Sequence, residues 1–158
     1  MSSWLIEGAT VVTVDNDWSV LPSADLLIEG TEIAGLWPSG QKPAEVKAEH
    51  RIDAGGMVAI PGMINAHTHC AMTLLRGYAD DMPLMKWLEE RIWPFEMKLE
   101  EEDVYWGTML GIVEMIRGGV TCFNDMYHYF EAAARATLES GIRANVSGVL
   151  LAFMPDAE

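Results

Sequence analysis

Positive charge is scarce in this sequence: 10 Lys and Arg stand against 24 Asp and Glu in 158 residues, a formal net charge of −14. Such a chain repels polyphosphates and anionic lipid head groups, which excludes nucleic acid and a membrane surface as partners. A neutral or zwitterionic small molecule remains acceptable. Cysteine is scarcer still, with only Cys70 and Cys122. Two distant thiols build neither a disulfide framework nor a thiolate cluster for zinc, and Cys70 reads as a small buried filler although it adjoins His69. No apolar run approaches the roughly 18 residues of a membrane span. The start, MSSWLIEGATVVTVD, lacks the basic and then apolar segments of a secretory leader, so the expected location is cytoplasmic. Internal repeats and low-complexity segments are also missing. The composition, 50% hydrophobic and 22% charged, is that of a folded chain with a real core.

What is there begins with strands. Residues 4–15, WLIEGATVVTVD, are rich in β-branched side chains, with Val12 and Val14 on one face and Val11 and Thr13 on the other. Asp25 to Glu29, the turn Gly30-Thr31 and Glu32 to Trp37 read as a hairpin, ended by Pro38-Ser39-Gly40. Gln41 to Arg51 is polar and reads as a surface connection that includes His50. Residues 1–56 are therefore expected to be scaffold, a small antiparallel unit.

Four histidines occur in the chain, and two of them stand in Met57 to Thr73, MVAIPGMINAHTHCAMT. An apolar run broken by Pro61 and Gly62 leads into His67-Thr68-His69, as a strand would. Alternation puts both imidazoles on one side, Cα atoms about 6.6 Å apart, with Thr68 facing away. At metal–nitrogen distances of about 2.0–2.1 Å, two rings so placed can share one ion. A bare His-x-His is also common among surface and core histidines. Its place at a strand end, before the polar loop Arg76 to Asp81, is where barrel enzymes keep their chemistry.

The period then changes. Asp80, Asp81 and Met82 precede Pro83, which suits the first turn of a helix from Pro83 to Ile92 stopped by Pro94. After the acidic run Glu100 to Asp103, Tyr105, Met109, Ile112, Val113 and Ile116 form an apolar stripe at helical spacing. Arg117 and then Gly118-Gly119 close that helix. The acidic run reads as its solvated start and not as a metal site. Val120 to Asp125 reads as a strand, Glu131 to Ser140 as a helix closed by Gly141, and Ile142 to Phe153 as a third strand. Asp125 is expected to cap the helix that follows it. His128 is expected in loop packing or beside a substrate. The succession predicts a parallel α/β sheet with right-handed crossovers.

PGMINAHTHCAMTLLRG resembles the first barrel strand of the amidohydrolase superfamily. The longer stretch through WLEERIWPFE and GGVTCFNDMY is similar to the branch containing S-adenosylhomocysteine/5'-methylthioadenosine deaminases and the related chlorohydrolases. The resemblance implies the N-terminal portion of a (β/α)8 barrel preceded by a small antiparallel β-sandwich. Residues 1–56 would form the sandwich unit, completed by strands returning from a C-terminal segment, and 57–158 the first three β/α units. It implies His67 and His69 as ligands of Zn2+, with Fe2+ or Mn2+ as other divalent choices, and a nucleoside substrate. A Trp in a WL pair and, nine residues later, a Glu following a Pro match Trp87-Leu88 and Pro94-Phe95-Glu96. By resemblance Trp87 packs by the ligand and Glu96 accepts from the ribose hydroxyls, a sound use of a carboxylate. Spacing alone would make Trp87 a core residue and Glu96 an exposed carboxylate.

A closed barrel needs about 250 residues, and only three β/α-type strands follow Ile60, so the chain is expected to be a fragment of a longer protein. No catalytic acid or base is assigned within it; that group and further metal ligands are expected beyond Glu158, and a homo-oligomer is expected of the full-length protein. Where related deaminases offer an arginine at the end of the third strand, this chain has Asn145-Val146-Ser147-Gly148, which leaves the 5'-substituent open. Met72, Met82, Met85 and Met97 read as core filling or as the wall of an apolar pocket. The implied activity is metal-dependent hydrolytic deamination of an adenosine-like nucleoside. The alternatives are a chlorohydrolase or deaminase of another aminated heterocycle of triazine, guanine or cytosine type, and a non-catalytic truncated product.

Overall fold

A computed structural model describes residues 2–149, and the chain divides into two compact units, one running to Pro61 and one starting at Gly62. The first holds a five-stranded sheet built from β1 (Ser3–Val12), β2 (Val20–Glu29), β3 (Glu32–Pro38), β4 (His50–Asp53) and β5 (Val58–Ala59). The hairpin β2–β3 turns at Gly30, whose φ of 61° is the left-handed conformation that a tight two-residue turn demands. β1 lies antiparallel to β2 but parallel to both β4 and β5. The unit is thus one sheet of mixed sense, where an antiparallel sandwich was expected. One parallel partner takes in the end of the polar connection: His50 and Arg51 belong to β4, and the His50 ring stacks on Trp4 with centroids 4.3 Å apart. The short side chains of Ala9, Ala24 and Ala54 let Val11 and the flanking apolar groups close over them.

The second unit carries a three-stranded parallel sheet in the order β6 (Met63–Thr68), β7 (Val120–Tyr127) and β8 (Arg143–Gly148). The third strand was expected to run to Phe153; residues 150–153 lie outside the described residues. Two long helices, α3 (Glu101–Arg117) and α4 (Phe130–Ser140), make the crossovers. α3 starts as its acidic run predicts, with the Asp103 carboxylate accepting from the Glu100 N–H at 2.9 Å. It ends in Gly118 and Gly119, and α4 ends in Gly141, whose φ of 76° suits only glycine well.

The buried face of α3 differs from the expected stripe. Tyr105 and Ile112 of the stripe are buried and Met109 packs against the core, but Val113 and Ile116 are half exposed, and Val104, Gly107, Thr108 and Gly111 are buried instead. The two glycines explain the rotation. They let the helix backbone approach the 3-10 turn Cys70–Leu75, so closely that a Cβ on Gly107 would stand 2.6 Å from the Ala71 carbonyl oxygen. Cys70, Ala71, Phe123, Tyr127, Ala132 and Ala136 fill the core beneath. Burial pushes the Cys70 thiol up to about 12, with the Asp125 and Glu114 carboxylates adding to the effect, so it stays protonated at neutral pH.

The helix after the first strand does not stop at Pro94. α1 (Leu84–Trp87) continues through a π turn (Leu88–Ile92) into α2 (Trp93–Glu96). A proline inside a helix lacks a donor and presses on the carbonyl one turn back; the wider turn before it relieves that conflict, and the helix survives for one more turn. Glu96 therefore ends a helix.

Gly107→Ala tests the close approach of α3. An alanine in an exposed helix interior would stabilise by about 1 kcal/mol. Here the clash with a backbone carbonyl dominates, and a net loss of about 1–3 kcal/mol is expected in chemical denaturation of the protein.

Candidate active site

The two histidines, two residues apart, share one side of the strand, and an irregularity before them decides which side that is. Asn65 pairs with Phe123 and Thr68 with Asp125, so three steps along β6 are matched by two along β7. That extra residue is a bulge, which resets the alternation. Asn65 faces the helices, its amide 3.9 Å from the Met115 sulfur, and Thr68 faces the same layer, its hydroxyl 2.8 Å from a carboxylate oxygen of Asp125. His67 and His69 are left on the other side. Their Nε2 atoms approach to 3.4 Å with the rings nearly perpendicular. Two nitrogens bound to one tetrahedral zinc-type ion at about 2.0–2.1 Å would stand about 3.3 Å apart, so the pair fits such an ion as it stands.

His69 is held in the tautomer that binding requires. Its Nδ1 lies 2.7 Å from the Met126 carbonyl oxygen, an acceptor only, so the proton sits on Nδ1 and the Nε2 lone pair faces out. The Cys70 thiol is buried and donates to the Thr108 carbonyl at 3.6 Å. Among the described residues no group of three or more His, Cys, Asp or Glu converges as a metal site.

Asp125 caps no helix. α4 starts after Tyr129, and the Asp125 carboxylate turns inward, fully buried, to accept from the Cys70 N–H at 2.8 Å and to face Thr68. One oxygen thereby ties the residues on both sides of His69 to β7. Its other oxygen, Oδ2, has no hydrogen-bond partner among the described residues.

Beside His69 opens a cavity of about 280 Å3, walled by Met72, Trp87, Trp93, Glu96, Tyr127 and His128 among others. Glu96 is only 6% exposed, contrary to the exposed carboxylate that spacing alone predicts. The π turn and the extra turn past Pro94 carry it inward, where its Oε1 accepts from the Tyr127 hydroxyl at 2.8 Å. The imidazole of His128, also buried, stands 3.8 Å from Oε2. Burial, then the nearby Glu96 charge, pushes the Tyr127 phenol far above its ordinary range, so it donates at every working pH. Trp87 lies on the cavity wall and donates its indole N–H to the Ala79 carbonyl at 3.0 Å, anchoring the loop before the helix. Of the four methionines considered, Met72 lines the cavity, whereas Met85 and Met97 are about half exposed and Met82 is half-buried beside Asp80 and Asp81. At the third strand, Asn145 donates to the Asn124 side chain at 2.6 Å and Ser147 to the Asp125 carbonyl at 3.0 Å.

Of the residues expected in the site, His67 and His69 adjoin each other, and His69, Trp87 and Glu96 line one cavity. Sequence reasoning gave no role to Tyr127 and misread Asp125. The signal available was their i, i+2 spacing on a strand, which places both on the helix-facing side with Phe123.

Residues 58–158 match the amidohydrolase family. The chain is 47% identical over its whole length to a 5-methylthioadenosine/S-adenosylhomocysteine deaminase of Desulforamulus reducens, of which it spans 36%. It is 55% identical over 120 residues, 76% of the chain and 28% of the relative, to a 5'-deoxyadenosine deaminase of Methanocaldococcus jannaschii. Among solved structures, an adenosine deaminase from Xanthomonas campestris with bound zinc superposes with a TM-score of 0.93 at 36% identity, over 99% of this chain and 36% of that one. Zinc-bound atrazine chlorohydrolase from Arthrobacter aurescens superposes at 0.77 with 27% identity, over 89% of this chain and 34% of that one. The chain thus spans about a third of the proteins it matches, and it corresponds to the N-terminal portion of their barrel. It belongs to the amidohydrolase family.

Proposed function

We propose that the protein to which this chain belongs is a metal-dependent hydrolytic deaminase of adenosine-like nucleosides, of the S-adenosylhomocysteine or 5'-methylthioadenosine type. The observation that carries the reading is the 3.4 Å approach of the His67 and His69 Nε2 atoms beside a cavity that ends on a buried carboxylate. In the reaction, water replaces the 6-amino group of the purine, the C–N bond breaks and ammonia leaves. A divalent ion of the zinc type, when bound, supplies the Lewis acidity that makes water a nucleophile at neutral pH.

His67 and His69 are two of the ion's ligands in this reading. The Met126 carbonyl keeps the Nδ1 proton of His69 in place and Asp125 fixes the backbone on either side of that residue. Glu96 takes the ribose: a carboxylate already aimed from one side by Tyr127 has acceptor positions left for a vicinal diol. Trp87 and Met72 supply the apolar wall that excludes water from the sugar and base. The remaining ligands and the proton-transferring carboxylate are assigned to the part of the protein beyond Glu158, since the chain spans only about a third of its relatives. A net charge of −14 suits a neutral or zwitterionic substrate. Among the described residues no helix is long and apolar enough to cross a membrane.

The full-length protein is expected to release ammonia from adenosine-like nucleosides, to lose that activity on chelation and to regain it with Zn2+. Glu96→Ala should lower kcat/KM for the riboside by about 10- to 100-fold, the loss of one or two charge-assisted hydrogen bonds. Full retention of activity would remove Glu96 from the site, and hydrolysis of free heterocycles in preference to nucleosides would assign the protein to the chlorohydrolase side of the family. Asp125→Ala should release zinc to a chelator roughly 10-fold more readily than the parent protein, because the peptides flanking His69 lose their brace.

A further inference from the structure

The end of β7 places three consecutive residues against the two halves of the site. The Met126 carbonyl holds His69, the Tyr127 hydroxyl holds Glu96 at 2.8 Å, and the His128 imidazole faces the second oxygen of the same carboxylate at 3.8 Å. Tyr127 is 4% exposed and belongs to the hydrophobic core formed with Phe123, Tyr105 and Ile112. Its ring is therefore fixed by packing, and its hydroxyl is a donor at a defined point. Glu96, by contrast, sits on the last turn of a helix that has just passed a π turn and a proline, a backbone less constrained than a continuous α-helix.

A carboxylate on such a helix end has rotamers that turn it out of the cavity. The bond to a fixed phenol selects among them, so that Oε1 is occupied and Oε2, with the His128 imidazole 3.8 Å away, is the oxygen left for a diol. Side-chain freedom removed before binding is freedom the ligand does not have to remove.

We propose that Tyr127 is a positioning residue for sugar recognition: it presets Glu96 for a vicinal diol and thereby sets the preference for ribosides over 2'-deoxyribosides. This deepens the nucleoside reading and rests on Glu96 taking the ribose. Tyr127 itself touches no reacting atom. Its influence runs through Glu96, so it acts on the diol specifically and not on the base.

The test uses the full-length zinc-loaded enzyme and two substrates that differ only at the 2' position, adenosine and 2'-deoxyadenosine, in the parent, Tyr127→Phe and Glu96→Ala forms. Tyr127→Phe keeps the ring in the core and deletes only the hydroxyl. The expected result is that the ratio of kcat/KM for the riboside over the deoxyriboside falls about 10-fold in Tyr127→Phe, mainly through a higher KM for the riboside. Glu96→Ala should reduce the ratio at least as far. An equal loss for both substrates in Tyr127→Phe, or no change, overturns the positioning role. If Glu96→Ala also leaves the ratio intact, the ribose assignment of Glu96 fails as well. If Glu96→Ala collapses it and Tyr127→Phe does not, only the role of Tyr127 is lost. An enzyme that deaminates neither nucleoside, while hydrolysing other aminated heterocycles, overturns both.

Discussion

The arrangement at the end of the parallel sheet depends on one buried carboxylate oxygen. Oδ1 of Asp125 accepts from the Cys70 N–H and faces the Thr68 hydroxyl, in a position with no access to water. A buried carboxylate is costly unless donors surround it, and a buried peptide N–H is costly unless it finds an acceptor. Each group here answers the need of the other. The result is that the chain on both sides of His69 is pinned to β7, while the bulge in β6 has turned His67 and His69 together to the open side. Without the pin, the bulge would leave a loose strand end; without the bulge, the pin would hold the wrong faces.

From that pin the neighbouring strand reaches in two directions. Met126 stabilises the imidazole that faces the open side, and Tyr127, buried on the helix side, reaches the carboxylate at the end of α2. His69 and Glu96, which are far apart in the chain, thus share a foundation two residues long. Precision of this kind comes from a strand paired along both edges and packed on its helix side, which is where rigid sites are best built.

Much of this was legible in the sequence, and the parts that were not share a cause. The His-x-His pair, the hairpin around Gly30-Thr31, the acidic start of α3 and the glycine ends of α3 and α4 are local signals, each fixed by a few adjacent residues. The resemblance brought in Glu96 and Trp87, which periodicity alone would have set aside. What escaped were features decided by contacts across the chain. The bulge in β6 is visible only as a register against β7, and Asp125 looks like a helix cap until Thr68 and Cys70 are brought to it from 57 and 55 residues away. Pro94 reads as a stop because the widened turn that accommodates it has no sequence signature. The face of α3 rotated because two glycines, poor helix formers in isolation, allow a backbone contact that apolar counting does not see.

The exposed apolar side chains complete the argument about extent. Among the described residues β6 and β8 are the edges of the three-stranded sheet, and on β6 Ile64 is 70% exposed and Met63 49%. Parallel sheets are found with both faces covered, because their crossover helices and their neighbours bury them. Here helices cover the face carrying Phe123, Asp125 and Tyr127, whereas Asn124 and Met126 on the other face stay open along with His67. That open face carries Met126 beside the histidines and the hydrogen-bonded Asn124–Asn145 pair below them, with Ile64 on β6. A sheet that stops at three strands leaves that surface uncovered, in keeping with a chain that spans about a third of the barrel proteins it matches.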